Sequence, residues 1–361
     1  MKFEIEETVR RFAAKDLLPV IQQLDEYKPD IKLKEKVVSG IKNIGIINMP
    51  LPESLGGIEF DPAILGRVLE IIAETCAGTS FLLWAHYAAL LPFILSKKYD
   101  PLKKIGDGQN LTGTGYVSEH SLKITKRGDA FEVSGTINFL WGMPGASFFV
   151  IAAKTSENGI FALIPSNAPG INVKEEHSKI GLRGCQSSSV VLNGVAVKSQ
   201  DAAVMPIAEY EKVFNLSKGY ALCLVGAIAA GNARGSIIRA VKYARERYQG
   251  CDIIINHTLI QGMVGDMLAR AKAAGALVGD ALQNFQEGGT NNLYLAKANA
   301  TREGEKVCLD SMQVFGGYGY MREYGVEKHL RDSKMLCTIG ESNMRILQRI
   351  VRENKDKEGW I

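Results

Sequence analysis

No Cys-x-x-Cys pair occurs anywhere in the 361-residue chain. The six cysteines, Cys76, Cys185, Cys223, Cys251, Cys308 and Cys337, are scattered, with no histidine nearby at ligand spacing. That pattern argues against a zinc ribbon or a disulfide framework, leads us to expect no metal site, and suits a reducing, cytoplasmic compartment. Net charge is scarce as well: 43 Lys and Arg against 39 Asp and Glu leave +4 at pH 7. No basic run with interleaved aromatics appears, so no nucleic-acid partner is expected. The longest apolar run, Tyr220 to Ala230, is about half of what a bilayer span needs and reads as a buried helix, so no membrane is expected. The N-terminal MKFEIEETVRRFAAKDLLP is amphipathic, too acidic for a transit peptide and without the apolar core of a signal peptide. No Gly-x-Gly-x-x-Gly follows a strand at a helix start, which removes support for a Rossmann nicotinamide site. Repeats and low-complexity segments are missing too.

What is present is an ordinary globular composition, 46% apolar and 23% charged, long enough for one to three domains around a large core. Residues 1–109 read as helical, with Ile5, Val9 and Phe12 on one stripe and Val37, Ile41 and Ile44 on another. The stretch from Asn48 to Phe60 is a loop, and Pro62–Glu74 and Gly78–Ser96 are helices. Within 110–203 the segments LTGTGYV, SLKITKR, AFEVSGTI, SFFVIAAK, GIFALIP and SVVLNGVAV are short and β-rich, separated by turn residues. From 204 to 361 the pattern is helical again, with long helices over Ala221–Arg247, His257–Glu287 and Leu293–Phe315. The expected fold class is α+β, a helical domain, a small β-barrel or sandwich, and a helical bundle.

The most specific stretch is Ser311 to Arg345, SMQVFGGYGYMREYGVEKHLRDSKMLCTIGESNMR. A helix ending in Phe315 must stop at Gly316-Gly317, because glycine takes positive φ at little cost. Gln-x-x-Gly-Gly-x-Gly-Tyr, Glu-Tyr-x-Val-Glu-Lys and Arg-Asp-x-Lys together resemble the C-terminal signature of the acyl-CoA dehydrogenase family of flavoproteins. LPESLGGIEF, GLRGCQSSSVVLNGVAV, and RERYQG followed by HTLIQGMVGDM resemble further family segments, so the likeness covers most of the chain.

The resemblance implies the family's fold and its chemistry, α,β-dehydrogenation of an acyl-CoA thioester with FAD. A carboxylate removes the α-proton, the β-hydrogen leaves as hydride to the flavin, and donors stabilise the thioester oxygen. It implies Arg247 on the flavin pyrophosphate, since a guanidinium forks onto phosphate. His257 would line the flavin cleft. Gln313, Gly316 and Gly317 would reach the adenine half of a neighbouring subunit's flavin, in a dimer or tetramer. Tyr116, Ser118, Phe139 and Trp141 match strands facing the flavin ring, and Ser342, at the end of the segment matching the catalytic loop, is a further expected cofactor-binding residue. Aromatic strand residues serve equally as core. An electron-transferring flavoprotein is the implied acceptor.

The departures fall on the active site. After GYVSEH the Pro-x-Ala-Gly-Ser-Asp part of a flavin-covering loop is missing. Gly250-Cys251 replaces Phe-Gly after the arginine, and Trp141 stands where a flavin-bonding Thr is usual. Aligned without gaps from Arg331-Asp332, the family's catalytic glutamate falls on Gly340. An upstream helix position that some members use falls on Ala221, and its neighbouring arginine on Leu222. Glu341 is one residue late and is the remaining candidate base. Two readings follow: an FAD-dependent acyl-CoA dehydrogenase using Glu341 or a substrate group, or a subunit of a mixed oligomer (a heterotetramer) that completes a homologous partner's site. A non-redox binder of CoA esters is a further alternative.

Overall fold

The computed structural model describes the chain except Met1, Lys28, Asp107, Gln109, Ser118, Glu119, Pro144 and 357–361, with backbone alone at Lys2, His120 and 285–288. Helices α1 (Lys2–Phe12), α2 (Ile21–Leu24), α3 (Ile31–Asn43), α4 (Pro62–Thr75) and α5 (Ala77–Leu95) come first. Their starts are encoded locally. Asp30 caps α3 by accepting from Lys32 N at 2.9 Å, and Asp61 caps α4 from Ile64 N at 3.0 Å, with Pro62 pre-set at the first turn. Helix α5 is buried on every side over nearly its whole length and forms the centre of the first layer.

Eight strands follow: β1 (Thr112–Thr114), β2 (His120–Arg127), β3 (Ala130–Trp141), β4 (Phe148–Lys154), β5 (Asn158–Pro165), β6 (Ile171–Glu176), β7 (Ser187–Lys198) and β8 (Ala202–Pro206). They make one mixed sheet, β6-β7-β3-β1-β4-β5-β8, with β2 also on β3; β1 and β4 are parallel and the other pairs antiparallel. The sheet curls so that β5 also meets β7, and Val133, Ile137, Phe149, Ile151, Ile160 and Val190 fill the enclosed face. Strands β6 and β8 go beyond the segments read from sequence. INVKEE is half polar, and AAVMP is short and ends in proline, so neither carries a strong alternating signal.

The C-terminal part contains α6 (Ile207–Glu246), a short hairpin β9 (Tyr248–Gln249) and β10 (Asp252–Ile253), then α7 (Thr258–Gln283), α8 (Phe285–Phe315), α9 (Val326–Leu336) and α10 (Asn343–Asn354). Helix α6 begins well before the expected Ala221, because IAEYEKVFNLSKGY continues it with only its inner side buried. Helix α8 contains a non-helical residue at Gly289, φ 62°. Helix α6 is the axis of the fold, packed by α4, α5, α7, α8 and α9. Its glycines permit a close crossing: a Cβ on Gly231 or Gly235 would lie 2.1 Å from the carbonyl oxygens of Glu70 or Glu74 on α4. Helices α5 and α6 are long and apolar enough to cross a membrane, yet 89% of each apolar window is buried inside the protein. Here those windows are the core.

The Arg-Asp pair of the C-terminal signature joins the layers. Asp332, fully buried, accepts from Leu182 N at 2.6 Å and from Lys328 Nζ at 2.5 Å. Arg331 pairs with Asp25 and donates to Ile180 O at 2.8 Å. The GLRG loop is thereby fixed between α9 and the N-terminal helices.

Candidate active site

Where β3 ends, it faces the connection between α9 and α10 across a cleft of about 490 Å³. Asn138, Phe139 and Trp141 line one side, and Met335, Thr338 to Ser342 and Arg345 the other. Five of the residues singled out in the sequence therefore meet here: Phe139, Trp141, Gly340, Glu341 and Ser342. Phe139 and Trp141 are two apart on a strand and share a face. Their rings are stacked at 5.9 Å, with Phe139 exposed and Trp141 buried. Behind them Phe81 of α5 meets Trp141 edge-on at 5.0 Å, and His177 lies 4.6 Å from Phe139. The His177 nitrogens bridge Ser187 and Ser189 hydroxyls, both at 3.2 Å.

The opposite wall turns on Gly340. Glu341 N donates to Ile339 O at 2.8 Å and Gly340 has φ 69°, the geometry of a γ-turn with positive central φ. This is the least common kind of γ-turn, and glycine enters it with the least strain. Any Cβ here would point at Leu222 of α6, 2.6 Å from Cδ2, and at Val117 Cγ1, 3.2 Å away. Leu222 and its neighbour Ala221 are fully buried, and Ala221 O accepts from Trp84 Nε1 at 2.7 Å. The space in front of Gly340 is therefore hydrocarbon.

Glu341 is engaged by α10. Its Oε2 is buried and lies 3.4 Å from Arg349 NH1 on α10, whose guanidinium sits over the Tyr294 ring at 4.2 Å. Ser342 is committed to structure, capping α10 by accepting from Arg345 N at 3.4 Å. Beneath the loop lies Lys297 of α8, fully buried, which donates to Cys337 O, Glu341 O and Asn343 Oδ1. Burial pulls its ammonium down to about 8. Sequence reasoning missed Lys297, because a lysine in YLAKANAT reads as a solvated charge. Asn138, Met335, Thr338 and Arg345 were also missed, since nothing local marks the side they face.

The remaining predicted residues lie elsewhere. Arg247 caps α6, half-buried, with its guanidinium 5.5 Å from the Tyr318 ring centre and no carboxylate paired to it among the described residues. Tyr318 follows Gly316 and Gly317, which are exposed and would meet nothing within 4 Å if given a Cβ. Gln313 is exposed one turn before, and its carbonyl takes the Gly316 N–H. Tyr243, Phe315, Tyr318 and Tyr324 form the aromatic base of this surface, Tyr243 and Phe315 stacking at 4.3 Å. His257 precedes α7 and bonds Gln249 O at 2.8 Å. Tyr116 is buried away from the cleft, donating to Ala88 O at 2.8 Å and packing on Phe161 and Phe214. Burial raises its hydroxyl well above the ordinary range. Ser118 lies outside the described residues.

Residues 2–97 match the family described as acyl-CoA dehydrogenase, N-terminal domain, and residues 222–354 match acyl-CoA dehydrogenase, C-terminal domain. The sequence is 29% identical to the cyclohexane-1-carbonyl-CoA dehydrogenase of Geobacter metallireducens, over 96% of this chain and 95% of that protein. It is also 29% identical to the caffeyl-CoA reductase-Etf complex subunit CarC of Acetobacterium woodii, over 96% of each. In fold it is similar to a glutaryl-CoA dehydrogenase from Mycobacterium smegmatis solved in complex with FADH2. The TM-score is 0.86 at 18% identity, covering 100% of this chain and 96% of that one.

Proposed function

Since the chain belongs to the acyl-CoA dehydrogenase family, we propose that it is an FAD-binding subunit for α,β-dehydrogenation of an acyl-CoA thioester. In this reading a homologous partner subunit makes the site complete. The observation that carries it is the γ-turn at Gly340: the position at which the resemblance expects the base faces Leu222 and Val117, and the adjacent Glu341 is held by Arg349. A positioned general base contributes roughly 10²–10⁴-fold, and misplacement by about 1 Å already costs roughly 10²-fold. A carboxylate held by Arg349, one residue away from that position, supplies none of this.

The residues present fit the cofactor. The β3 side of the cleft offers a flat aromatic wall in Phe139 and Trp141, and Arg247, with no carboxylate partner among the described residues, suits a pyrophosphate. FAD, when bound, supplies the ring that accepts hydride. Phe139 and Trp141 would pack against that ring and exclude water. Among the described residues Gly340 N–H has no acceptor, so it is free to donate to a thioester oxygen as negative charge develops there. The Gln313, Gly316 and Gly317 surface, open and without Cβ obstruction, serves a flavin held by the neighbouring subunit. A chain that keeps this surface but lacks a base can still complete a partner's cofactor site. An electron-transferring flavoprotein is the proposed acceptor; the Acetobacterium relative is by name a subunit of a complex with one.

The purely structural alternative rests on the same base-free cleft. Flavin content separates the two. The proposal expects about one FAD per chain when the chain is purified with a homologue encoded beside it, and FAD on the isolated chain weakened by Arg247→Ala. A colourless chain that leaves the homologue's flavin and turnover unchanged would support the structural alternative.

A further inference from the structure

We infer that Lys297 is a positioning residue for the cleft: its ammonium clamps both ends of the γ-turn that presents Gly340. The acceptors are Cys337 O at 3.2 Å, before the turn, and Glu341 O and Asn343 Oδ1, both 2.9 Å away, after it. Thr301, one helical turn further along α8, closes the arrangement through its hydroxyl, which contacts Asn343 at 3.2 Å and donates to Lys297 O at 2.9 Å. A γ-turn with positive central φ is strained and persists only where its surroundings over-determine it. Three bonds from one rigidly buried cation do that.

Every acceptor is neutral, which is unusual for an ammonium with no exposed surface. The charged and titratable groups facing it are few. Cys337 lies at the end of α9, its thiol pushed up to about 11 by burial and by Glu305, and so protonated at neutral pH. Glu341 presents only its carbonyl, because its carboxylate is taken by Arg349 of α10. Helix α6 offers Gly226, whose added Cβ would lie 3.3 Å from Lys297 Cα. Burial, only partly offset by attraction to Cys337 and Glu341, is what pulls the lysine down to about 8. When it loses its proton, two N–H groups remain for three acceptors, and the bonds lose their charge assistance. The turn then loosens.

This assignment takes the cleft as the acyl site from the reading above, but its test needs no turnover, so either can fail alone. Hydrogen exchange is followed by mass spectrometry on the full chain as purified, with or without FAD, corrected for intrinsic base catalysis, in peptides covering 337–343 and in control peptides from β3 to β5. In the parent chain, opening of 337–343 removes the three acceptors while Lys297 stays inside the bundle, so the open form holds the proton less tightly and protection should fall as pH rises through about 8. The global trend from the same group has the opposite sign: the unfolded lysine holds its proton to about 10.4, so the fold gains stability over that window. Lys297→Met should speed exchange of 337–343 roughly tenfold at pH 7 while the controls stay within about twofold. Asn343→Asp places a carboxylate beside Nζ, and should move the loss of protection to higher pH even if Lys297→Met fails to fold. Local exchange that shows no step near pH 8, or a step that Asn343→Asp leaves in place, would overturn the assignment.

Discussion

A Cβ built on Gly340 would stand 2.6 Å from Cδ2 of Leu222. The loop glycine and the helix leucine are thus complementary: the leucine fills the space that a side chain at 340 would enter. The two positions where the family resemblance looks for a base and its supporting arginine have become a hydrocarbon contact. Restoring one alone should therefore not restore chemistry.

Gly340→Glu should destabilise the fold by about 2–4 kcal/mol, from positive φ together with overlap on Leu222. Gly340→Glu with Leu222→Ala relieves the overlap and should recover about half of that loss. Urea unfolding of both variants checks this; a single variant as stable as the parent would mean the turn has another conformation available.

The Glu341–Arg349 pair should be coupled. Both side chains are mostly buried, at 18% and 22% exposed, so breaking the pair leaves a charge poorly solvated. Arg349→Met should cost about 1–3 kcal/mol, and a double-mutant cycle with Glu341→Gln should return a coupling of about 1 kcal/mol. Zero coupling would free Glu341 to turn into the cleft.

Acid should act through His86. It is fully buried, with Nε2 3.2 Å from Ile47 O and Nδ1 accepting from Thr112 N at 3.1 Å, so it joins the first helical layer to the sheet in its neutral form. Burial lowers it to about 4. The unfolded chain, near 6.5, then binds more protons between these values, so stability falls as pH drops from about 6.5 towards 4, by on the order of 3 kcal/mol. Melting temperature against pH, with His86→Gln for comparison, should show a flatter acid limb in the variant.

Arg247→Ala should lower FAD retention on gel filtration without shifting the melting temperature of the flavin-free chain by more than about 2 °C. Its only described ring partner is Tyr318, at 5.5 Å, a contact worth about 0.5–1 kcal/mol at such a site. Undiminished retention would remove Arg247 from the cofactor.

What was legible in the sequence follows from which signals are local. The stop at Gly316 is a backbone property, and φ 58° there is what the Gly-Gly pair announces. Spacing from Arg331-Asp332 singled out Gly340, and Gly340 does line the cleft opposite β3. The facing of side chains was not legible. Tyr116 and Trp141 are both buried aromatics near strands, yet one bonds Ala88 in the core and the other lines the cleft. Only the curl of the sheet and the position of α5 decide between them. Lys297 was invisible for the same reason: its burial comes from α6, α9 and α10 closing over it, and α8 by itself gives no hint.

The central claim is that this chain carries no base of its own for the α-proton, and one assay addresses it directly. The FAD-loaded chain, a homologous subunit and their mixture are each given saturated acyl-CoA esters and an artificial electron acceptor, with Glu341→Gln prepared in this chain. The account predicts no turnover above background by this chain alone, and turnover wherever the homologue's glutamate is present. Robust turnover by this chain alone, abolished by Glu341→Gln, would contradict it and make Glu341 the base.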